Sequence, residues 1–249
     1  MSGVGHDRAV TDRIALAAHN NALWCDAVCR AHGLTGVLDD VAWTSPRRTP
    51  PYYPDAVTLS PEASEYDILA RIDPGDGASV KDSWSRLDLT AEDFARLVVG
   101  EWLWWTPAAL AGTPPRVGGA QADGREWRRV TTPDDMAGWT RAWSADPADA
   151  GILRPALLDQ PGVHLLAASG DGDGVVTAGC AVNVTDGVAG LSNTFSVDGD
   201  EERTWRGAVT AAHHLVGVMP VVSWDAGAGV EAAVSAGAER LGPLTVWIS

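Results

Sequence analysis

The chain has 249 residues, 45% of them apolar, and a formal net charge of -15. That length suits one large domain or two small ones, and the apolar content is enough for a core and excludes a disordered chain. No stretch approaches the roughly 20 uninterrupted apolar residues of a membrane helix, and the acidity disfavours nucleic-acid and anionic-membrane partners, which need a basic footprint.

In chain order, the first element is a helix over about Asp7 to His32. Ile14, Ala18, Asn21, Cys25 and Val28 or Cys29 recur there at spacings of three and four, and Gly33 stops it. The proline-rich passage Pro46 to Pro54 follows. Four short β-like runs come next: Val41 to Trp43, Val57 to Leu59, Ile68 to Ile72 and Ser79 to Lys81. Thr90, with Asp93 three residues on, reads as the N-cap of a second helix carrying Phe94, Leu97, Val98 and Trp102. Thr113 to Arg125, with Pro114-Pro115 and Gly118-Gly119, has the composition of a linker. The expected organisation is therefore an α/β half over 1–112, a linker over 113–125 and a second domain over 126–249.

The second half opens with a strand, Trp127 to Thr131. Thr132-Pro133-Asp134-Asp135 then supplies an N-cap, a first-turn proline and acids on the positive end of a helix reaching Ser144. A short helix covers Pro155 to Asp159. Val163 to Ala168, Val175 to Val184 and Val188 to Val197 form an antiparallel meander, with turns at Gly170 to Gly174 and Asp186-Gly187. A helix over Thr204 to Val216, a strand over Pro220 to Trp224, a helix over Gly229 to Ala236 and a strand over Leu244 to Ile248 complete the chain. Cys25, Cys29 and Cys180 make no disulfide framework, which implies a reducing, cytoplasmic setting. Met1 to Arg13 lacks the basic-then-apolar pattern of a secretory signal.

The order strand, helix, helix, three-strand meander, helix, strand, helix, strand resembles the GNAT N-acetyltransferases over about Glu126 to Ser249. The ending, a short alanine-rich helix followed by Gly237-Ala238-Glu239, is similar to theirs. The first half, with Asn20 to Asp26, Tyr53 to Leu59 and Ser79 to Trp84, looks like that of some bacterial GNAT-like proteins. The resemblance implies an α/β (α+β) fold with a mixed, mainly antiparallel sheet flanked by helices. The shared helix-then-strands order of the two halves hints at duplication. It also implies an acyltransferase moving an acyl group from acyl-CoA or acetyl-CoA to a small amine, with no metal. The donor's pyrophosphate would sit on amides at the N-terminus of the helix after the meander, which assigns Arg203, Arg206, Gly207 and Ala208 to the cofactor. Two departures stand out. Arg206 occupies the first glycine position of the phosphate turn, after four carboxylates at Asp198, Asp200, Glu201 and Glu202. The second half also has no tyrosine to protonate the leaving thiolate, since Tyr52, Tyr53 and Tyr66 all lie in the first. An acyl carrier protein is the alternative source of the thioester. A GNAT-like protein that only binds a metabolite or protein partner, or one recruited to another reaction, is the alternative to catalysis.

The candidate catalytic residues are Ser192 and Asn193, at the end of the third meander strand, and Asp225, just past the next strand. Asp225 reads equally as a base or as an N-cap. Asn21 and Trp24, in a polar patch beside an aromatic ring, and Tyr53 are assigned to substrate. Lys81, the chain's only lysine, is the only possible Schiff-base residue, and Lys81-Asp82 reads first as an ion pair or a strand-end contact. His213 and His214 read as ordinary helix histidines. Cys25, Cys29 and His32 share a helix face but make an awkward metal set, so no metal site is expected. Trp102, Trp104 and Trp105 read first as packing between the halves and second as an aromatic pocket. A P-loop, a dinucleotide glycine fingerprint and a Gly-x-Ser-x-Gly elbow are all missing.

Overall fold

Helix α1, Gly3–Ala31, is built on good helix formers: alanines at 15, 17, 18, 22 and 27 leave one side smooth enough to lie directly on strands. Gly33, at φ 73°, ends it, and the Leu34 N–H donates back to the Cys29 carbonyl. The structure, a computed structural model, describes residues 3–107, 123–170 and 174–249, with side chains from residue 8 onward. The expected linker therefore lies outside the described residues up to 122, as does the centre of the turn at 171–173.

The remaining elements are β1 (Val37–Leu38), β2 (Ala42–Thr44), β3 (Ala56–Thr58), α2 (Glu65–Leu69), β4 (Ser79–Asp82), β5 (Ala95–Trp105), β6 (Glu126–Val130), α3 (Pro133–Trp143), β7 (Val163–Ser169), β8 (Val176–Thr185), β9 (Val188–Ser196), α4 (Glu201–Val216), β10 (Val221–Asp225), α5 (Ala228–Ser235) and β11 (Glu239–Ile248). Two expectations fail. Ile68 to Ile72 is not a strand: Ser64 and Asp67 close a capping box that starts α2, and this local hydrogen bonding outweighs a short apolar run. The helix expected from Thr90 is one 3-10 turn over Thr90–Glu92, ended by Asp93 in the left-handed conformation. Strand β5 begins two residues later. Its Trp102, Leu103, Trp104 and Trp105 are all buried, because the strand is central and covered on both faces. A strand buried on both faces shows no alternation, so its apolar positions matched a helical spacing by coincidence.

The eleven described strands form one mainly antiparallel sheet in the order β1-β2-β3-β4-β11-β5-β10-β9-β8-β7-β6. The order has an approximate two-fold about the β5–β11 pair. Outward on one side lie antiparallel β10 and then parallel β9; on the other lie antiparallel β4 and then parallel β3. Each half thus lends its last strand to the other. The two-fold strand order parallels the duplication hinted at by the sequence, and the exchange locks 3–107 to 123–249 through continuous backbone pairing.

Helices cover both faces. On one, α1 and α3 bury Trp24, Trp43, Trp139 and Leu157, and Ile14, Ala17 and Ala18 of α1 meet Trp102, Trp104 and Leu244. On the other, α4 and α5 bury Leu103, Trp105, Trp205 and Val209. Burying one such aromatic contributes about 1.5–3 kcal/mol, so the tryptophans of β5 anchor the junction of the halves, as expected for Trp102, Trp104 and Trp105. Their placement on a strand, not at a helix end, is the correction.

Candidate functional site

Strands β9 and β10 pair in parallel only at Ala189–Val221 and Gly190–Val222, then diverge. Ser223 Oγ donates to the Leu191 carbonyl at 2.8 Å and marks the fork. Just beyond it, the β8–β9 register slips between Gly179 and Ala181, and Asn193 takes a φ of 51°. This bulge re-aims the strand end. The gap opens into a cavity of about 940 Å³, lined by α1, by the loop around Tyr53, by β4, β5, β9, β10 and β11, and by Trp205 of α4. At the equivalent fork of the first half, Ser83 Oγ likewise donates to the Thr58 carbonyl, and Trp102 Nε1 donates to the Ser83 carbonyl, each at 2.8 Å.

Six of the expected residues converge on this cavity: Ser192, Asn193, Asp225, Asn21, Trp24 and Tyr53. Tyr53 rides a loop held by buried Asp55, whose carboxylate accepts from the Thr49 and Ser79 N–H groups at 2.8 and 3.1 Å and pairs with Arg48. The Tyr53 hydroxyl donates to Asn193 Oδ1 at 3.1 Å. Burial pushes its pKa well above the usual phenol value, so it stays a proton donor. A tyrosine of the first half thus stands at the cavity, where the second half has none. Asp225 does not cap α5, whose N-cap is Gly227 with no side-chain cap. Its carboxylate accepts from the Ala226 N–H at 2.7 Å, and burial raises its pKa above the ordinary carboxylate value.

Lys81 is the residue that sequence reasoning undervalued. On β4, Val80 packs into the core of the opposite face, with Trp247, while Lys81 turns toward the cavity. Its ammonium donates to Asn21 Oδ1 at 2.8 Å and lies 4.3 Å from the centre of the Trp224 ring. Of the two contacts expected for Lys81-Asp82, the ion pair does not form and the strand-end contact does. Neighbours on a strand face opposite ways, and Asp82 instead accepts from the Trp84 and Leu87 N–H groups at 3.1 and 2.8 Å. Desolvation lowers the Lys81 pKa to about 8. The signal present in the sequence was that this is the chain's single lysine.

Asn20 departs from its neighbour Asn21. Its amide donates to the Asn183 carbonyl and to Thr185 Oγ1, while Asn183 donates back to the Asn20 carbonyl, so it ties α1 to β8 away from the cavity. His213 and His32 are likewise engaged, each 2.8 Å from a backbone carbonyl, Met219 and Ile152 respectively.

Arg203, Arg206, Gly207 and Ala208 do not line the cavity. At the start of α4, Asp200 caps the helix by accepting from the Arg203 N–H at 3.1 Å, and Asp198 accepts from the Asp200 N–H at 3.1 Å. Buried Arg125 grips both Asp198 oxygens at 2.7 and 2.8 Å and donates to Thr204 Oγ1. Arg203 Nε donates to the Asp123 carbonyl, and Arg206 pairs with Glu202. The buried Asp123 carboxylate presses on Gly207, where a Cβ would also stand 2.7 Å from Trp127 Nε1. A coenzyme A pyrophosphate needs these amides free and these carboxylates elsewhere. The residues present do not fit it. Among the described residues, no group of three or more His, Cys, Asp or Glu side chains is placed to hold a metal ion, and no helix is long and apolar enough to cross a membrane.

No protein-family profile matches the chain, and no curated protein is significantly similar to it in sequence. Solved structures are similar in fold. A putative acetyltransferase of the GNAT family from Novosphingobium aromaticivorans superposes with a TM-score of 0.53 at 12% identity, covering 93% of this chain and 98% of that one. A Drosophila protein gives 0.50 at 11% identity, over 87% and 73%. A tandem GNAT protein from the clavulanic acid biosynthesis pathway gives 0.47 at 15% identity, and the alignment spans 63% of its length. By strand order, by the fork between β9 and β10 and by the likeness to the Novosphingobium protein, the chain has a GNAT-like fold.

Proposed function

We propose that this protein is an acyltransferase that joins a thioester-borne acyl group to a small amine in the cavity at the β9–β10 fork. The observation that carries the reading is the meeting there of Tyr53, Ser192, Asn193 and Asp225, contributed by both halves. Ser192 and Asn193 would orient the acyl carbonyl. The amine nitrogen bonds to the acyl carbon and the carbon–sulfur bond breaks. Asp225, its pKa raised by burial, takes the amine proton, and the Tyr53 hydroxyl protonates the departing thiolate.

Because the α4 turn does not fit a pyrophosphate, the donor is read as a thioester on a pantetheine arm, free or carried by an acyl carrier protein. Thermal unfolding with acyl-pantetheine and acyl-coenzyme A thioesters tests this. A ligand at a hundred times its dissociation constant stabilises by about 2.7 kcal/mol. Equal stabilisation by both is expected, since the nucleotide adds nothing. Stabilisation by the coenzyme A form alone would overturn the choice of donor, and none by either would overturn the transferase reading. The occupied turn also favours a second reading, a GNAT-like protein that binds a metabolite without acylating it. Saturable amine binding with no turnover on any thioester would select it.

A further inference from the structure

Lys81 is 4% exposed and is the only lysine in a chain with 17 arginines. Its ammonium reaches a large cavity with one neutral acceptor, Asn21 Oδ1, and one aromatic face, Trp224. Among the described residues no carboxylate pairs with it, and burial is what acts on it most strongly. A buried charge without a counter-ion is costly. The indole face, moreover, stabilises the ammonium and not the neutral amine, so the site is arranged to hold a cation. Asn21 takes one of three N–H donors, which leaves capacity for a bound anion.

We infer that the cavity binds a small organic carboxylate, with the carboxylate on the Lys81 ammonium and an apolar body among Trp24, Tyr53, Trp224, Val98 and Val246. A single cation matches a singly charged group. Asp76 and Asp225 also line the cavity and would repel a dianion such as phosphate. Arg48, the other cation on its wall, is already held by Asp55 and by the Gly75 and Asp76 carbonyls. If the cavity also carries out the acyl transfer proposed above, the acceptor is an apolar amino acid or a similar amine that bears a carboxylate; the carboxylate site itself does not rest on that reading.

Binding to the intact protein separates the two. The probes are phenylalanine, phenylacetate, phenylalaninamide and phenethylamine, measured by calorimetry and by the Nζ resonance of Lys81, which the chain's single lysine makes unambiguous under lysine labelling. The expected result is binding of phenylalanine and phenylacetate at least tenfold tighter than of the two probes lacking a carboxylate. The midpoint of the Lys81 titration should rise when either is bound. Cys25, Tyr53, Arg48, Asp76 and Asp225 are the titratable neighbours on the cavity wall, so the rise must vanish in unliganded protein under the same conditions. Lys81→Met should abolish the preference, and Lys81→Arg should restore part of it. Equal binding of all four probes, or bound phenylacetate with an unmoved Lys81 titration, overturns the inference. Carboxylate binding that persists while no thioester has any effect upholds it and removes the acyl-transfer reading instead.

Discussion

Tyr53 of the first half donates its hydroxyl to Asn193 Oδ1 of the second across 3.1 Å, at the bulge where β9 leaves β10. This contact puts a neutral phenol at the fork. Tyr53→Phe removes the proton and keeps the ring on Trp24. Turnover should fall on the order of a hundredfold, the usual weight of a positioned acid. Stability should fall by only about 1 kcal/mol, the worth of one hydrogen bond. Steady-state rates and urea unfolding on the same sample check both. Undiminished turnover would reduce Tyr53 to a packing residue.

Lys81→Met should stabilise the protein at neutral pH. The folded chain holds the lysine pKa at about 8 against an ordinary 10.5, so the unfolded chain binds the proton more tightly. That difference costs the folded state on the order of 3 kcal/mol below about pH 8 and is relieved as pH rises toward 10.5. The advantage of the methionine variant should therefore shrink between those values. Unfolding of both proteins at pH 7 and pH 10 measures it. A variant less stable than the parent at pH 7 would mean the amine is better satisfied than its neighbours indicate.

Gly190→Ala probes how tightly α1 lies on β9. A Cβ there would overlap the Asn20 side-chain oxygen and stand 2.7 Å from Asn183 Oδ1. Both belong to the hydrogen-bonded knot between α1 and β8. Overpacking of this kind costs about 1–3 kcal/mol. Chemical denaturation should show a loss in that range; a neutral result would mean the helix can move off the sheet.

Arg206→Gly restores the small residue that the GNAT phosphate turn expects. It should not create tight coenzyme A binding, because Asp200 still caps α4 and Asp123 still packs on Gly207. A glycine within the helix should lower stability by about 1 kcal/mol. Calorimetry with coenzyme A on parent and variant decides: new micromolar affinity would show that Arg206, not the carboxylates, blocks the turn.

The sequence carried the second half almost element by element. Thr132-Pro133 starting α3, Asp186-Gly187 turning β8 into β9 and Gly237 after α5 act through neighbours within a few positions. It also selected Ser192, Asn193, Asp225, Asn21, Trp24 and Tyr53, because polar residues at strand ends and inside an otherwise apolar helix are visible one at a time. The damage to the phosphate turn was legible for the same reason, as Arg206 and four nearby carboxylates.

Only the tertiary structure decided the rest. Residues 95–105 are a strand because β10 and β11 flank them on either side, a pairing made from positions more than a hundred residues away. The exchange of β5 and β11 between halves has no local mark. Asn20 and Asn21 are adjacent and alike in sequence, yet one knots α1 to β8 and the other meets Lys81, because a helix turns successive side chains about 100° apart. Lys81 itself looked like part of an ion pair with Asp82 or a strand-end contact. Its role comes from strand geometry, which sends the two side chains to opposite faces, and from the cavity that long-range packing opens over one of them.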